Sequence, residues 1–213
     1  MSWDLVLYIA YMLLFSSHDE SRDLNLSVKN LFVNSMHNND WKKAKSTVIC
    51  LDITDENKCW SRIVIRNCQE RDEHSEQVLY RIMTDLSKED GVLEYLKTCD
   101  FDLYMNWSPC GSADRNCVDC LLEVLFLSGN ESGVFFVSLY TKVNDILFTL
   151  RELKYLSEYV LLRYMRNKHF KDLGIATCTD ICDKIEMNKN YTLDKLQASK
   201  ETLEEAKTIL KKF

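Results

Sequence analysis

Two short constellations in this chain carry side chains that could do chemistry together. One is His74-Ser75-Glu76; the other is Pro109-Cys110 followed by Cys117 or, three residues later, Cys120. An imidazole and two thiolates hold zinc tightly, and three protein ligands leave the fourth position of a tetrahedral ion open to water, as hydrolysis requires. Glu76 stands two residues from His74, so on a helix it points away from the ligand direction and is placed to move a proton instead. Pro109 is the single proline of the chain, and its fixed φ would orient the turn that delivers Cys110. We therefore expect His74, Cys110 and either Cys117 or Cys120 to be zinc ligands, and Glu76 to be the catalytic proton carrier. The bland alternatives are an exposed histidine at a helix start and ordinary buried cysteines.

For that to work, both constellations must open helices, where the positive end of the backbone dipole favours thiolates. Residues 74–86 place Val78, Leu79, Ile82, Met83 and Leu86 on one helical face, which puts His74 and Glu76 at a helix start. Phe101, Leu103, Met105 and Trp107 alternate with Asp102, Tyr104 and Asn106, the period of a strand with one buried face, and this strand runs into Ser108-Pro109-Cys110. Val118 to Leu127 reads as the next helix, stopped at Ser128-Gly129-Asn130.

Elsewhere, residues 26–37 have helical spacing, and Thr47 to Ile53 and Trp60 to Ile65 read as a hairpin around Asp55-Glu56-Asn57-Lys58. Val134 to Tyr140 is apolar at nearly every position, as for a strand covered on both faces. Asp145 to Met165 is read as one long helix, Ile175 to Cys178 as a short strand, and Thr179 to Met187 as a helix. Residues 193–212 form a charged amphipathic helix, read as capping the domain in preference to facing a partner.

Composition sets outer limits. With 213 residues, five Gly and no Pro- or Gly/Ser-rich stretch, nothing resembles a flexible linker. We expect an apolar segment at 1–25, a catalytic domain at 26–190 and a C-terminal helix at 191–213. The net charge of -6 argues against a broad basic face gripping duplex DNA. A local basic groove could come from Trp41-Lys42-Lys43-Ala44-Lys45 or from Arg163, Arg166, Lys168 and Lys171. The apolar run at residues 5–15 is too short to span a bilayer, so no stable membrane insertion is expected. It reads as a helix packed on an intracellular domain, with secretion directed by residues 1–17 as the alternative. Four glycosylation sequons, at Asn25, Asn106, Asn130 and Asn190, include one inside the strand that leads to Cys110.

The pairing of H-x-E with a downstream Pro-Cys is similar to the zinc-deaminase signature. Together with Trp41-Lys42-Lys43, Arg66-Asn67, Asn106-Trp107-Ser108-Pro109-Cys110, Phe126-Leu127-Ser128-Gly129-Asn130 and Leu139-Tyr140, it resembles the AID/APOBEC-like polynucleotide cytidine deaminases over roughly residues 26–187. The resemblance implies an α/β fold, a cytidine-deaminase-like three-layer α/β/α arrangement with a central mixed five-stranded sheet flanked by helices. It also implies hydrolysis of cytosine to uracil in single-stranded DNA or RNA, with zinc as cofactor. By motif position, Asn67 and Trp41 would contact the substrate, Trp107 and Ser108 would form the pocket wall and floor, and Tyr140 would stack beside the target base. Where most of the family has two to four residues between its cysteines, this chain has six between Cys110 and Cys117 and nine between Cys110 and Cys120; six occurs in one divergent branch, so the resemblance implies Cys117 as the third zinc ligand, with Cys120, which the following Phe-Leu-x-Gly-Asn turn fits slightly better, as the alternative. Two other functions use the same residues: deamination of free nucleosides or nucleotides in a closed pocket, and a non-catalytic binding module with a structural zinc.

Overall fold

β-Branched runs form the first two described strands: β1 (Val48–Thr54) and β2 (Trp60–Arg66) pair antiparallel around a turn at Asp55 to Lys58, where the Asp55 carboxylate accepts the Asn57 N–H at 2.9 Å. The computed structural model describes residues 47–58, 60–67, 72–111, 115–140, 146–173, 185, 190, 192–193 and 200–213. Trp41, the apolar run at 5–15, the helix expected at 26–37 and the strand expected at 175–178 lie outside those residues. Of the helix expected at 179–187, only residue 185 is described, and it is helical.

Helix α1 (Ser75–Leu86), strand β3 (Asp100–Trp107), helix α3 (Cys117–Leu125) and strand β4 (Ser132–Ser138) follow within two residues of the positions their periodicity implies, with a single-turn helix α2 (Val92–Leu96) between α1 and β3. α2 escaped notice because five residues are too few to display a helical period.

The stretch from 145 to 165 needs correction. It is not one helix: α4 (Ile146–Leu156) stops, a turn at 157–160 intervenes, and Leu161–Tyr164 forms β5. The apolar spacing misleads because Leu162 and Tyr164 continue a buried pattern that began at Leu150 and Leu153, while only the strand's own alternation of exposed and buried residues marks the change of period. β5 pairs parallel with β4, and α4 is the crossover that two parallel neighbours require. A further short helix, α5 (Asn167–Asp172), and the C-terminal α6 (Lys200–Leu210) complete the described elements.

The sheet order is β2-β1-β3-β4-β5, antiparallel from β2 to β3 and parallel from β3 to β5. Register places Ile49, Leu51, Leu103, Met105, Phe136 and Tyr164 on one face. That face meets the end of α6, where the Phe213 and Phe136 rings lie 6.0 Å apart, and α6 in turn packs on α4, α4 on α3 and α3 on α1. Ala206, Ile209 and Leu210 are buried there, and Arg151 clasps Glu205 through two contacts of 2.9 Å, so α6 caps the domain. On the opposite face stand Cys50, Asp52, Asp102, Tyr104 and Phe135, covered by α5 through His169. Asp52 and Asp102 are directly opposite across β1 and β3, and Arg62 relieves the repulsion by a two-pronged grip on Asp52 at 2.6 Å. A mixed five-stranded sheet between helical layers is the cytidine-deaminase-like fold.

His169 sets an acid limit on stability. Its ring lies 4.1 Å from that of Phe135, its Nδ1 accepts the Arg166 N–H at 2.9 Å, and its Nε2 has no hydrogen-bond partner among the described residues. Burial pushes its pKa down to about 4, and Lys168, Arg166 and Arg163 push the same way against Asp172. Since the unfolded chain takes up this proton near pH 6.5 and the folded protein only near 4, the neutral ring's contribution is whole above pH 6.5 and is lost as pH falls toward 4. Thermal melts from pH 7.5 to 4.5 should therefore fall more steeply for the native protein than for His169→Gln; parallel curves would show that His169 is not responsible. Among the described residues, no helix is long and apolar enough to cross a membrane.

Candidate metal centre

α1 begins at His74, whose extended backbone (φ -74°, ψ 158°) makes it the residue before the first helical turn, and its N–H is held by Gln77 Oε1 at 2.8 Å. The next helix in the same layer, α3, begins at Cys117 after Asn116, which adopts the left-handed conformation (φ 50°) that Asn tolerates better than most residues. Cys110 lies beyond the end of β3. Its neighbour Gly111 sits so close to α4 that an added Cβ would fall 2.4 Å from the Thr149 Cα, and its N–H reaches Thr149 Oγ1 at 3.3 Å. Three elements thus fix the turn: β3 delivers it, Pro109 shapes it, and α4 presses against it.

These placements bring the three expected ligands together. His74 Nδ1 is 3.4 Å from Cys110 Sγ and 3.3 Å from Cys117 Sγ, and the two sulfurs are 3.3 Å apart. Ligands at zinc distances on a tetrahedron would stand about 3.5–3.8 Å apart, so an ion fits at the centre with a spread of a few tenths of an ångström. The donor chemistry fits as well. Cys117 is fully buried, and its pKa is driven up first by the hydrogen bond with Cys110 and then by burial, because two adjacent thiols cannot both ionise without a cation between them. His74 is shifted up for the matching reason, its contact with Cys110. Among the described residues this is the one cluster of three or more His, Cys, Asp or Glu donors close enough to share an ion, and Cys120 is not part of it. Cys120 lies on α3, half-buried, with its thiol pushed up to about 11 by burial.

Glu76 is 2% exposed beside the cluster. Its carboxylate lies 3.0 Å from Ser75 Oγ, which is 2.8 Å from Thr47 Oγ1. A serine hydroxyl has one proton, so donation to the carboxylate leaves Thr47 to donate to Ser75. Thr47 is itself fixed by Asn67, whose Oδ1 accepts the Thr47 N–H at 3.0 Å while its own N–H reaches the Thr47 carbonyl at 3.1 Å. Burial raises the Glu76 pKa to about 7, as suits a group that must both take and give a proton near neutrality. A dication among the ligands would lower it.

An aromatic corner flanks the same site. The Tyr140 ring stands edge-on to His74 at 6.2 Å and to Trp107 at 6.1 Å, and the Tyr140 N–H is held by Ser108 Oγ at 3.0 Å. Asn106, by contrast, faces inward at 2% exposure and accepts the Val48 N–H at 2.8 Å, so its sequon is closed to modification in the folded chain. Sequence reasoning missed Thr47, Ser75 and a clamp made by Arg115. The Arg115 guanidinium donates to both the carbonyl and the carboxylate of Asp72, tying the segment before α1 to the segment before α3. The charge pair is exposed at Asp72 and contributes little stability, so its effect should fall on the metal. Arg115→Ala is expected to weaken zinc retention about tenfold, by analogy with other outer-shell supports, in competition with a chelator. Unchanged retention would mean the clamp does not position the ligands.

Compared by sequence, the chain matches no protein-family profile and no curated protein. The mixed sheet with its flanking helices and the His/Cys/Cys cluster agree with the zinc-dependent deaminase-like superfamily, and that agreement rests on fold and geometry alone.

Proposed function

We propose that this chain hydrolyses cytosine to uracil in single-stranded DNA or RNA, as a divergent AID/APOBEC-like enzyme with zinc held by His74, Cys110 and Cys117. What carries the reading is a buried carboxylate beside a three-donor cluster. Burying Glu76 costs free energy, no Lys or Arg pairs with it among the described residues, and a purely structural metal site has no use for it. Bound by the cluster, zinc supplies the Lewis acidity that makes water a nucleophile near neutral pH. Glu76 accepts the water's proton and delivers it to the ring nitrogen N3; it then takes the proton of the hydroxyl now on C4 and passes it to the amino group as the C4–N bond breaks and the carbonyl forms, so that cytosine and water give uracil and ammonia. Ser75 and Thr47 hold the carboxylate. Trp107 and Tyr140 wall the pocket, Ser108 sets its floor by fixing Tyr140, and Asn67 acts on the target nucleotide or through Thr47. Trp41 is proposed as a further contact to the strand.

Deamination of a free nucleoside is the second reading, since Arg115, the cation that acts on His74, is already engaged by Asp72. The motif Trp107-Ser108-Pro109-Cys110 supports the polynucleotide reading. Incubation with cytidine, dCMP and a cytosine-bearing single-stranded oligonucleotide separates them: uracil in the oligonucleotide is expected, and turnover of the monomers alone would replace our reading with the second.

A further inference from the structure

Four exposed cations fall together on β5 and the helix that follows it. Arg163 pairs with Phe135 on the face that α5 covers, Arg166 is the residue from which α5 starts, and Lys168 and Lys171 stand one turn apart on that helix. Elsewhere, Arg62, Arg81, Arg115 and Arg151 each close an ion pair with a carboxylate, whereas these four have no such partner among the described residues. Arg163, Arg166 and Lys168 all act on the buried His169, which groups them around one ring. Two carboxylates oppose them. Asp172 is the one acid among residues 161–173 and acts on His169 and Tyr104 beneath α5, and Asp102 lies within the influence of Lys168. The balance is a local positive field on a chain whose net charge is -6.

Strand register joins this patch to the pocket. β3, β4 and β5 run parallel, so their C-terminal ends share one edge of the sheet, the edge beyond which Cys110 lies. Tyr164 pairs with Phe136, and the Met165 N–H donates to the Phe136 carbonyl at 2.8 Å. Arg166 is still extended (φ -123°, ψ 170°), so it leaves the sheet level with Ser138, which pairs with Trp107 and accepts the Ser108 N–H at 2.7 Å. Two strand spacings, about 10 Å, separate Arg166 from the Trp107-Ser108 wall. The exposed chemistry then chooses the partner. Leu162, Tyr164, Met165, Phe170 and Leu173 are buried, and Leu161 at the far end of β5 is the one large apolar side chain exposed in the stretch. The patch thus offers charge without the apolar anchors that dominate protein–protein affinity, and regularly spaced phosphates need only such charge.

We infer that Arg163, Arg166, Lys168 and Lys171 hold the phosphodiester backbone of a single strand where it leaves the pocket, crossing the sheet edge at Arg166 and following α5. The strand's path rests on the proposed reading of the pocket; the affinity of the patch for phosphates does not. Lys168 acts on Asp102, five residues before Trp107 on β3 and so about 17 Å back along the sheet, farther than one nucleotide reaches. The patch therefore serves long strands and not free nucleosides.

The test is fluorescence anisotropy of the full chain with a labelled strand of about 20 thymidines and with its uridine counterpart, neither of which offers a cytosine to react. Saturable binding is expected, and the tighter of the two strands identifies the sugar. Lys168→Gln with Lys171→Gln leaves Arg166 and the start of α5 intact; at about 50 mM salt it should bind about fivefold more weakly or worse, and the slope of log affinity against log salt should shrink by about 1.4, as for two lost phosphate contacts on a single strand. Lys58→Gln with Lys97→Gln removes the same charge from exposed positions at the other end of the sheet, where Thr54 pairs with Asp100, and should bind as the native chain does. Equal loss in this control would reduce the effect to net charge and overturn the inference. So would binding to neither strand, binding unaffected by the Lys168 and Lys171 changes, or phosphatidylserine vesicles bound in the strand's stead and released by those changes. Cytosine turnover by the native chain is read separately: a chain that binds through the patch and never deaminates refutes the proposed reaction and leaves the phosphate contacts standing, and an active chain whose binding ignores the patch does the reverse.

Discussion

Replacing Glu76 with Gln is expected to leave the protein folded and its zinc in place while turnover of cytosine falls by about 10²- to 10⁴-fold, the range a general acid–base commonly supplies. The amide keeps the volume of the buried side chain and can still meet the Ser75 hydroxyl, so packing changes little. What it loses is the capacity to accept a proton. Zinc content and a melting curve measured alongside the rate make the result interpretable, because an inactive variant that has also lost metal would say nothing about proton transfer. Ser75→Ala should show a milder version of the same defect, since it removes the hydroxyl that steadies the carboxylate but leaves the base. Native activity in Glu76→Gln would remove the carboxylate from the reaction.

The second large effect concerns the sulfurs. Cys117→Ser is expected to lower zinc affinity more than about 100-fold, beyond the usual cost of disturbing an outer-shell support, and to destabilise the chain, because an ion held by His74 and Cys117 would tie α1 to α3. Cys120→Ser is expected to retain zinc. The contrast is geometric: Cys117 Sγ is 3.3 Å from both His74 Nδ1 and Cys110 Sγ, whereas Cys120 falls outside the group. Zinc retained in Cys117→Ser and lost in Cys120→Ser would reverse the assignment.

Residue spacing alone could not decide between these two cysteines. Six and nine intervening residues both reach back to Cys110, and the choice depends on where α3 starts, which Asn116 settles through a left-handed backbone that no hydrophobic pattern encodes. The helix and strand periods of 74–86 and 100–107 were legible because one buried face repeated over several turns or pleats. β5 was not, because four residues of strand follow a helix whose apolar spacing runs on into it, and their pairing with β4 is a long-range choice. At the site, His74, Cys110 and Glu76 could be named from residue type, since metal and base chemistry tolerate few substitutes. Thr47, Ser75 and Arg115 could not, because a threonine, a serine and an arginine acquire their roles only when β1, α1 and the segment before α3 meet. The approach of Glu131 to Asp100 and Asp102 was equally hidden, because it arises only after β3 and β4 pair.

The proposed chemistry requires one ion shared by His74, Cys110 and Cys117, and metal analysis of the purified native chain tests it directly. One zinc per chain is expected, with the cobalt-substituted protein showing the charge-transfer absorption of two thiolate ligands and losing it in Cys110→Ser. A chain that holds no zinc after purification and reconstitution, with Cys110 and Cys117 titrating as ordinary free thiols, would contradict it.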